Sequence, residues 1–157
     1  MNKQALAKRI AGVIEREDRA SRFLGMRLDE VKPGAARMSM RVTADMVNGQ
    51  RVCHGGLIFS LADSSFGYAC NTHNHRALAA SCTIDFLAPA QLGDELTAQA
   101  SEVARAGRSA IYDVRVTNQR GELIATFRGR AATVKGSWIN SGTEPELVRA
   151  PSPNPDA

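Results

Sequence analysis

Hydrophobic residues along this chain follow a helical period in the first half and a strand period in the second. Over residues 3–16, apolar side chains recur every three or four positions among charged ones, which predicts an amphipathic helix. Over residues 54–71, they occupy most of the helical circumference, which is typical of a buried helix. Two adjacent rows make up that surface, the first with Ile58, Leu61, Ala62, Ser65 and Ala69, the second with Phe59, Phe66 and Cys70.

Strands are predicted wherever apolar and polar residues alternate. Residues 26–31 and 35–42 flank a Lys32-Pro33-Gly34 turn, which favours a hairpin. After the central helix, short glycine-containing turns separate three or four more strands, and such turns favour antiparallel neighbours. These strands are predicted at 77–86, from Leu96 to Gly107, at 109–118 and at 123–135. The sequence therefore predicts an α+β domain in which one antiparallel sheet is wrapped around one long helix.

The predicted core domain covers residues 25–135 and follows a helical region over residues 1–24. With 157 residues, of which 43% are hydrophobic, the chain is long and apolar enough for one domain with a real core. Residues 136–157 are rich in Gly, Ser and Asn, with prolines at alternate positions near the end. This composition predicts a disordered tail.

Charge and cysteine content exclude several classes of protein. The net charge of +4 suggests an anionic partner, but on charge alone solubility is the favoured explanation. Three cysteines without C-x-x-C spacing argue against a disulfide framework or a metal site. Cys70 and Cys82 lie in apolar patterns and are predicted core residues, whereas Cys53 is a candidate nucleophile without an evident base.

Since no apolar stretch suits a membrane span or a signal peptide, the expected compartment is the cytoplasm.

The most unusual segment is Asn48 to Gly56, which leads into the central helix. Asn48-Gly49 is a turn dipeptide, and two glycines occupy the first helical turn, where a Ser, Thr or Asp cap is more stabilising. Glycine leaves backbone N–H groups accessible at the positive end of the helix dipole. Such donors suit a phosphate, or a carbonyl oxygen that gains negative charge. Close packing of the helix on the sheet is the alternative reason for the glycine pair.

Asp63 is the second unusual residue, because a carboxylate in an apolar helix row must be paired, solvated through a cleft or used chemically. Gly55 and Asp63 are eight residues apart, or about 12 Å along a helix axis. That distance is too large for both groups to act on one reacting carbon. If both belong to one site, its Asp63 must come from a second copy of the chain.

These segments together resemble the hotdog-fold acyl-CoA thioesterases of the phenylacetate-degradation type, over about residues 20–135. The combination is more specific than a His-Gly-Gly motif alone, since it adds an upstream Asn, a downstream Asp and a strand motif. The likeness lies in Asn48-Gly49, His54-Gly55-Gly56-Leu57, Ser60-Leu61-Ala62-Asp63-Ser64, the run Cys82 to Pro89, Gly93-Asp94 and Phe127-Arg128-Gly129-Arg130.

The resemblance implies a hotdog fold and hydrolysis of acyl-CoA thioesters, with phenylacetyl-CoA or hydroxyphenylacetyl-CoA as the expected substrate and no cofactor. It also implies a homodimer with shared active sites, paired into a tetramer, and no membrane or nucleic-acid partner.

The resemblance also assigns roles to individual residues. Gly55 would donate its N–H to the thioester carbonyl, and Asp63 of the partner subunit would be the nucleophile or general base. Asn48 and His54 would hold the carbonyl or the attacking water, and Ser64 would support the substrate or the carboxylate. The expected catalytic residues are thus Asp63, Gly55, Asn48 and His54, and the expected substrate-binding residues are Gly56, Ser64 and Phe59.

Two other functions stay open. A hotdog hydratase or dehydratase would need a His and an acid as a proton pair, whereas His54 precedes the helical Asp63 by nine residues. An acyl-CoA-binding regulator of DNA would need a DNA-reading module, and only about 25 residues precede the first predicted strand.

Overall fold

The computed structural model of the chain describes residues 1–140, which form an antiparallel sheet packed around a central helix. The helices are α1 (Lys3–Glu17), α2 (Arg19–Phe23) and α3 (Gly55–Asn71). The strands are β1 (Arg27–Lys32), β2 (Ala35–Arg41), β3 (Ala77–Phe86), β4 (Glu95–Ala106), β5 (Ser109–Thr117) and β6 (Leu123–Thr133). A single 3₁₀ turn, Ala44–Met46, leads from β2 towards the loop before α3.

The sheet has the strand order β1-β2-β4-β5-β6-β3, and every neighbouring pair is antiparallel. β3 therefore crosses from the end of α3 to the far edge of the sheet, where it pairs with β6. α3 packs on one face and contacts all six strands. The predicted α+β class and the hotdog architecture are confirmed.

The apolar rows predicted for α3 account for its position against the sheet. Leu61, Ala62 and Ala69 are fully buried in the main core. Ser65 is also buried, and its hydroxyl donates to backbone carbonyl oxygens of β2 and β4 at 3.0 and 3.2 Å, so that the core contains no unpaired hydroxyl here. Phe66 packs over Gly129 of β6 so closely that a Cβ at Gly129 would lie 2.9 Å from the ring.

The N-terminal helix packs against a segment that follows β6. Asn2 caps α1 by accepting a hydrogen bond from the Ala5 N–H at 2.8 Å. Ile10 and Val13 of α1 form a second buried cluster with Ile139. The predicted helical region, residues 1–24, contains a second, short helix, α2, which begins at its own cap, Asp18.

Disorder was predicted for residues 136–157, but the first part of this segment is folded. Ile139 is only 3% exposed, and the backbone N–H groups of Trp138 and Ile139 both donate to the Asn74 side chain at 3.1 Å. Residues 134–140 therefore belong to the folded domain, because a Trp-Ile pair within a polar stretch supplies apolar surface that α1 buries. Residues 141–157 lie outside the described residues.

A charged cluster lies where β4 carries a bulge between Glu102 and Ala104. Glu102 accepts hydrogen bonds from Arg105 at 2.8 Å and from the fully buried Tyr112 hydroxyl at 2.5 Å, and it lies 3.2 Å from His73. The Arg105 hydrogen bond, with the Tyr112 hydrogen bond and the charge of Arg105, lowers the pKa of Glu102 from 4.5 to about 2.

Glu102→Gln is therefore expected to lower the free energy of unfolding at pH 7 by about 1–2 kcal/mol, because the ionised carboxylate is the acceptor. The folded-state pKa of Glu102 is depressed, so its contribution is present above pH 4.5 and is lost as the pH falls towards 2. Urea unfolding at pH 7, 4 and 3 measures the free energies of unfolding of wild type and Glu102→Gln. The difference between them should shrink as the pH falls. The matched control is Glu30→Gln, since Glu30 pairs with Lys32 at the surface. Parallel stability curves for wild type and Glu102→Gln would contradict this role.

Candidate functional site

The loop before α3 is closed by the side chain of Asn48. Its Oδ1 accepts hydrogen bonds from the backbone N–H groups of Gln50 at 3.0 Å and Val52 at 3.4 Å. Asn48 also donates its own N–H to the Val52 carbonyl at 2.9 Å. Arg51 adopts a φ of +63°, the left-handed conformation that the tight turn requires. Asn48 is therefore a turn residue whose Oδ1 is used within the loop.

The first turn of α3 leaves one backbone donor without a partner among residues 1–140. His54 is the N-cap, and its Nδ1 accepts the Gly56 N–H at 3.0 Å. Because Nδ1 is the acceptor, the neutral ring carries its proton on Nε2. No residue among 1–140 accepts the N–H of Gly55. Of the two glycine N–H groups, that of Gly55 is the one available to a ligand.

Gly55 lies directly beneath an aromatic ring at the end of β3. A Cβ at this position would lie 3.0 Å from Cζ of Phe86, so close packing is one reason for the glycine. Gly55 and Asn48 line a cavity of about 340 Å³ together with Ile58 and residues 86–90. This region is named the Gly55 cavity.

Asp63 lines a different cavity, of about 570 Å³, named the Asp63 cavity. Burial raises the pKa of its carboxyl group above 3.8, and among residues 1–140 nothing donates a hydrogen bond to it. The lining is mostly apolar and includes Phe66 and Tyr68 of α3, Leu78 of β3 and Trp138. A partly buried carboxylate without an internal partner is a candidate for chemistry.

The polar groups of the Asp63 cavity connect α3 to α2. The Ser64 hydroxyl lies 3.2 Å from the Ser21 hydroxyl. The Tyr68 hydroxyl donates to Asp18 at 3.3 Å, while the other carboxylate oxygen of Asp18 caps α2. Ser64 is thus held against α2 by a contact that the sequence pattern did not reveal.

Two further candidates do not fit these cavities: Phe59 lies away from both, and Cys53 is chemically unsuited to act as a nucleophile. Phe59 packs edge-on against Phe127 with ring centroids 5.4 Å apart and lines neither cavity. Cys53 lines the Gly55 cavity but is buried, and burial raises the pKa of its thiol to about 11. The thiol is therefore protonated at neutral pH, which argues against a nucleophile.

Residues 1–140 offer neither a membrane span nor a metal site. None of the helices in this range is long and apolar enough to cross a membrane. The same residues contain no group of three His, Cys, Asp or Glu side chains placed to hold a metal ion.

One chain thus brings the expected residues together in two groups. Asn48, His54, Gly55 and Gly56 lie around the start of α3, whereas Asp63 and Ser64 lie two turns further along the helix. The sequence pattern revealed neither the position of Phe86 over Gly55 nor that of Trp138 in the Asp63 cavity. The signal for the latter was present, since Trp138 is the only tryptophan of the chain and falls in an otherwise polar segment.

Comparison with known proteins agrees with this fold. Residues 50–125 match the Thioesterase superfamily. The chain is 42% identical over 120 residues to the acyl-coenzyme A thioesterase PaaI of Escherichia coli, covering 76% of this chain and 86% of that protein. The solved structure of E. coli PaaI, from the phenylacetic acid degradation operon, superposes with a TM-score of 0.85 at 38% identity and covers 87% of this chain and 99% of that one.

A shorter relative shares the same core. The crystal structure of the TT0310 protein from Thermus thermophilus has a TM-score of 0.71 at 36% identity, and covers 73% of this chain and 97% of that one. The chain therefore belongs to the thioesterase superfamily, among the hotdog-fold acyl-CoA thioesterases of the PaaI type.

Proposed function

We propose that this protein hydrolyses phenylacetyl-CoA or hydroxyphenylacetyl-CoA to the free acid and CoA, at active sites that two copies of the chain share. The observation that carries the proposal is the separation of the available Gly55 N–H from the Asp63 carboxylate. Both lie on α3, eight residues or about 12 Å apart, and they line different cavities. A thioester carbon can contact both groups only if they come from two chains.

The free edge of β3 supports this arrangement. β3 pairs with β6 along one edge, and no strand of the described chain pairs with the other. Leu78 near its start is 64% exposed and Phe86 at its end is 51% exposed. A long apolar edge strand of this kind is stabilised by pairing with another strand, and a second copy of β3 provides one.

Two-fold pairing of β3 places the cavities in the required order. The Asp63 cavity is bordered by the start of β3 through Leu78, and the Gly55 cavity by its end through Phe86. When two identical strands pair antiparallel about a two-fold axis, the start of each meets the end of the other. The Asp63 cavity of one copy then faces the Gly55 cavity of its partner.

The reaction follows from these positions. The thioester oxygen accepts the Gly55 N–H, which stabilises the negative charge that develops on it. Asp63 of the other chain either deprotonates a water molecule that adds to the carbonyl carbon, or adds to that carbon itself and forms an anhydride that water then opens. In both routes the C–S bond breaks and CoA leaves as a thiolate, which takes up a proton.

The remaining candidates position these groups. Asn48 uses Oδ1 to shape the loop, and its Nδ2 is the donor we assign to the carbonyl or the water. His54 caps α3 and thereby orients the first turn. Ser64, whose hydroxyl lies 3.2 Å from that of Ser21, is the residue we assign to support of the substrate or the carboxylate. Gly56 keeps the cap close, since a Cβ there would lie 3.2 Å from Nδ1 of His54.

Mixing two inactive variants tests the shared site. Gly55→Pro removes the N–H donor and Asp63→Asn removes the carboxylate. If each site takes one group from each chain, a mixed dimer contains one intact site, so co-refolding equal amounts should restore about a quarter of wild-type thiol release. Each variant refolded alone is the control. Recovery that stays at the level of the controls would contradict the shared site and place both groups in one chain.

The two alternative functions, a hydratase or dehydratase and an acyl-CoA-binding regulator of DNA, gain no specific support. The ring nitrogen Nδ1 of His54 is used as a helix cap, so that no His–acid pair forms at this end of α3 among the described residues. Helix α1 buries one side against the 134–140 segment and is followed by a helix of five residues. Hydration of crotonyl-CoA, or salt-dependent and sequence-selective DNA binding, would favour these alternatives.

A tetramer of two such dimers stays a prediction.

A further inference from the structure

Part of the Asp63 cavity is lined by residues outside the region that matches the superfamily. That match covers residues 50–125. Ile14 of α1 and Trp138 of the 134–140 segment both line the cavity, as do Leu78 and Ala79 of β3. The role of these two side chains therefore has to follow from their own contacts in this chain.

Trp138 is held in one orientation. Its indole Nε1 donates to Oδ1 of Asn71 at 2.7 Å, and its backbone N–H donates to Oδ1 of Asn74 at 3.1 Å. The guanidinium of Arg76 lies over the ring, 4.4 Å from its centroid. Hydrogen bonds at both the ring and the backbone make Trp138 a fixed part of the cavity surface.

Asn71 connects Trp138 to the two elements that border the cavity. It is the last residue of α3 and only 5% exposed, and it exchanges hydrogen bonds with the backbone of Ala77, the first residue of β3. Asn71 lies eight residues after Asp63, or about 12 Å along the helix. The indole therefore borders the same cavity as Asp63 and is held at the C-terminal end of α3.

We propose that Trp138, together with Ile14, forms the end of the acyl pocket and sets the longest acyl group that the enzyme accepts. The inference rests on the proposed function. The thioester carbon lies at Asp63, and the CoA portion leaves through the cavity that contains Gly55 of the other copy. The acyl substituent then extends along Phe66 and Tyr68 towards the indole, in a mostly apolar space that suits an aromatic or short aliphatic group.

The test compares kcat/KM for phenylacetyl-CoA and for 4-phenylbutanoyl-CoA, which is two methylene groups longer. Trp138→Leu replaces the indole with a smaller side chain and so lengthens the pocket, and the ratio of the longer to the shorter substrate should rise by about tenfold or more. Ile14→Phe adds volume from the α1 side, so it should lower the ratio. This second variant retains the indole and all of its hydrogen bonds.

Ile139→Ala is the matched control, because Ile139 anchors the same segment to α1 but does not line the cavity. It should lower stability and leave the ratio within about twofold of wild type. A ratio unchanged in both Trp138→Leu and Ile14→Phe would overturn the proposal while leaving the thioesterase function intact, and so would an equal shift in Ile139→Ala. Failure of the wild type to release CoA from any acyl-CoA would refute both proposals.

Discussion

Asp63→Asn is expected to lower thiol release from phenylacetyl-CoA by roughly 10²–10⁴-fold, which is the usual contribution of a positioned general base. Asparagine has nearly the same shape as aspartate, but it neither accepts a proton from water nor attacks the carbonyl carbon. The loss should appear mainly in kcat, because the cavity that binds the acyl group is unchanged. Continuous detection of free CoA with a thiol reagent measures it.

The same carboxylate should govern the acid limb of the pH profile. Burial raises the pKa of Asp63 above 3.8, and the ionised form is the reactive one in both routes. The value of kcat/KM should therefore fall at a higher pH than an ordinary aspartate would give, as protons neutralise Asp63. Residual activity of Asp63→Asn should lack this limb.

Removing the charge should also stabilise the fold. A carboxyl group with a raised folded-state pKa destabilises the native state above that pKa, and the effect vanishes below the unfolded value of 3.8. Asp63→Asn should thus have a higher Tm than wild type at pH 7 and an equal one near pH 3. Asp113→Asn, at a β5 carboxylate paired with Arg128, is the control with the same change in charge. Activity that survives in Asp63→Asn, with the dimer intact, would remove Asp63 from the chemistry.

Gly55→Pro is expected to lower kcat by roughly 10²–10³-fold, the typical effect of losing one oxyanion donor. Proline lacks the N–H but is well tolerated at the first position of a helix. His54 has φ −59° and ψ 129°, the extended conformation that a residue before proline prefers. The substitution should therefore remove the donor and leave α3 in place, as circular dichroism can check.

Gly55→Ala distinguishes the effect of losing the N–H donor from the effect of adding a side chain at this position. Alanine retains the N–H, and its Cβ would approach the half-exposed Phe86 to 3.0 Å, at the tip of a ring that has room to move. Its activity should fall by less than about tenfold. Equal losses in the alanine and proline variants would mean that packing against Phe86, and not the N–H, explains the glycine.

Much of this architecture follows from local pattern. The bounds of β3 and the buried helix 54–71 were predicted closely, because side-chain burial on one element follows its own period. Helix α2 lies within the helical region predicted over residues 1–24, but its separation from α1 was not predicted, since its five residues carry no complete apolar row. Trp138 was assigned to a tail, since composition averages over a window and conceals one aromatic residue.

The sequence by itself determined the type of each main element and the glycine pair at the start of α3. It also determined that Gly55 and Asp63 of one chain are too far apart to act on one reacting carbon, since this follows from helical rise alone. Only the tertiary structure decided that β3 lies at the sheet edge beside β6, that His54 occupies the Gly56 N–H and leaves that of Gly55 available, and that Trp138 reaches the Asp63 cavity. These features depend on contacts between residues far apart in the chain, and no local period encodes them.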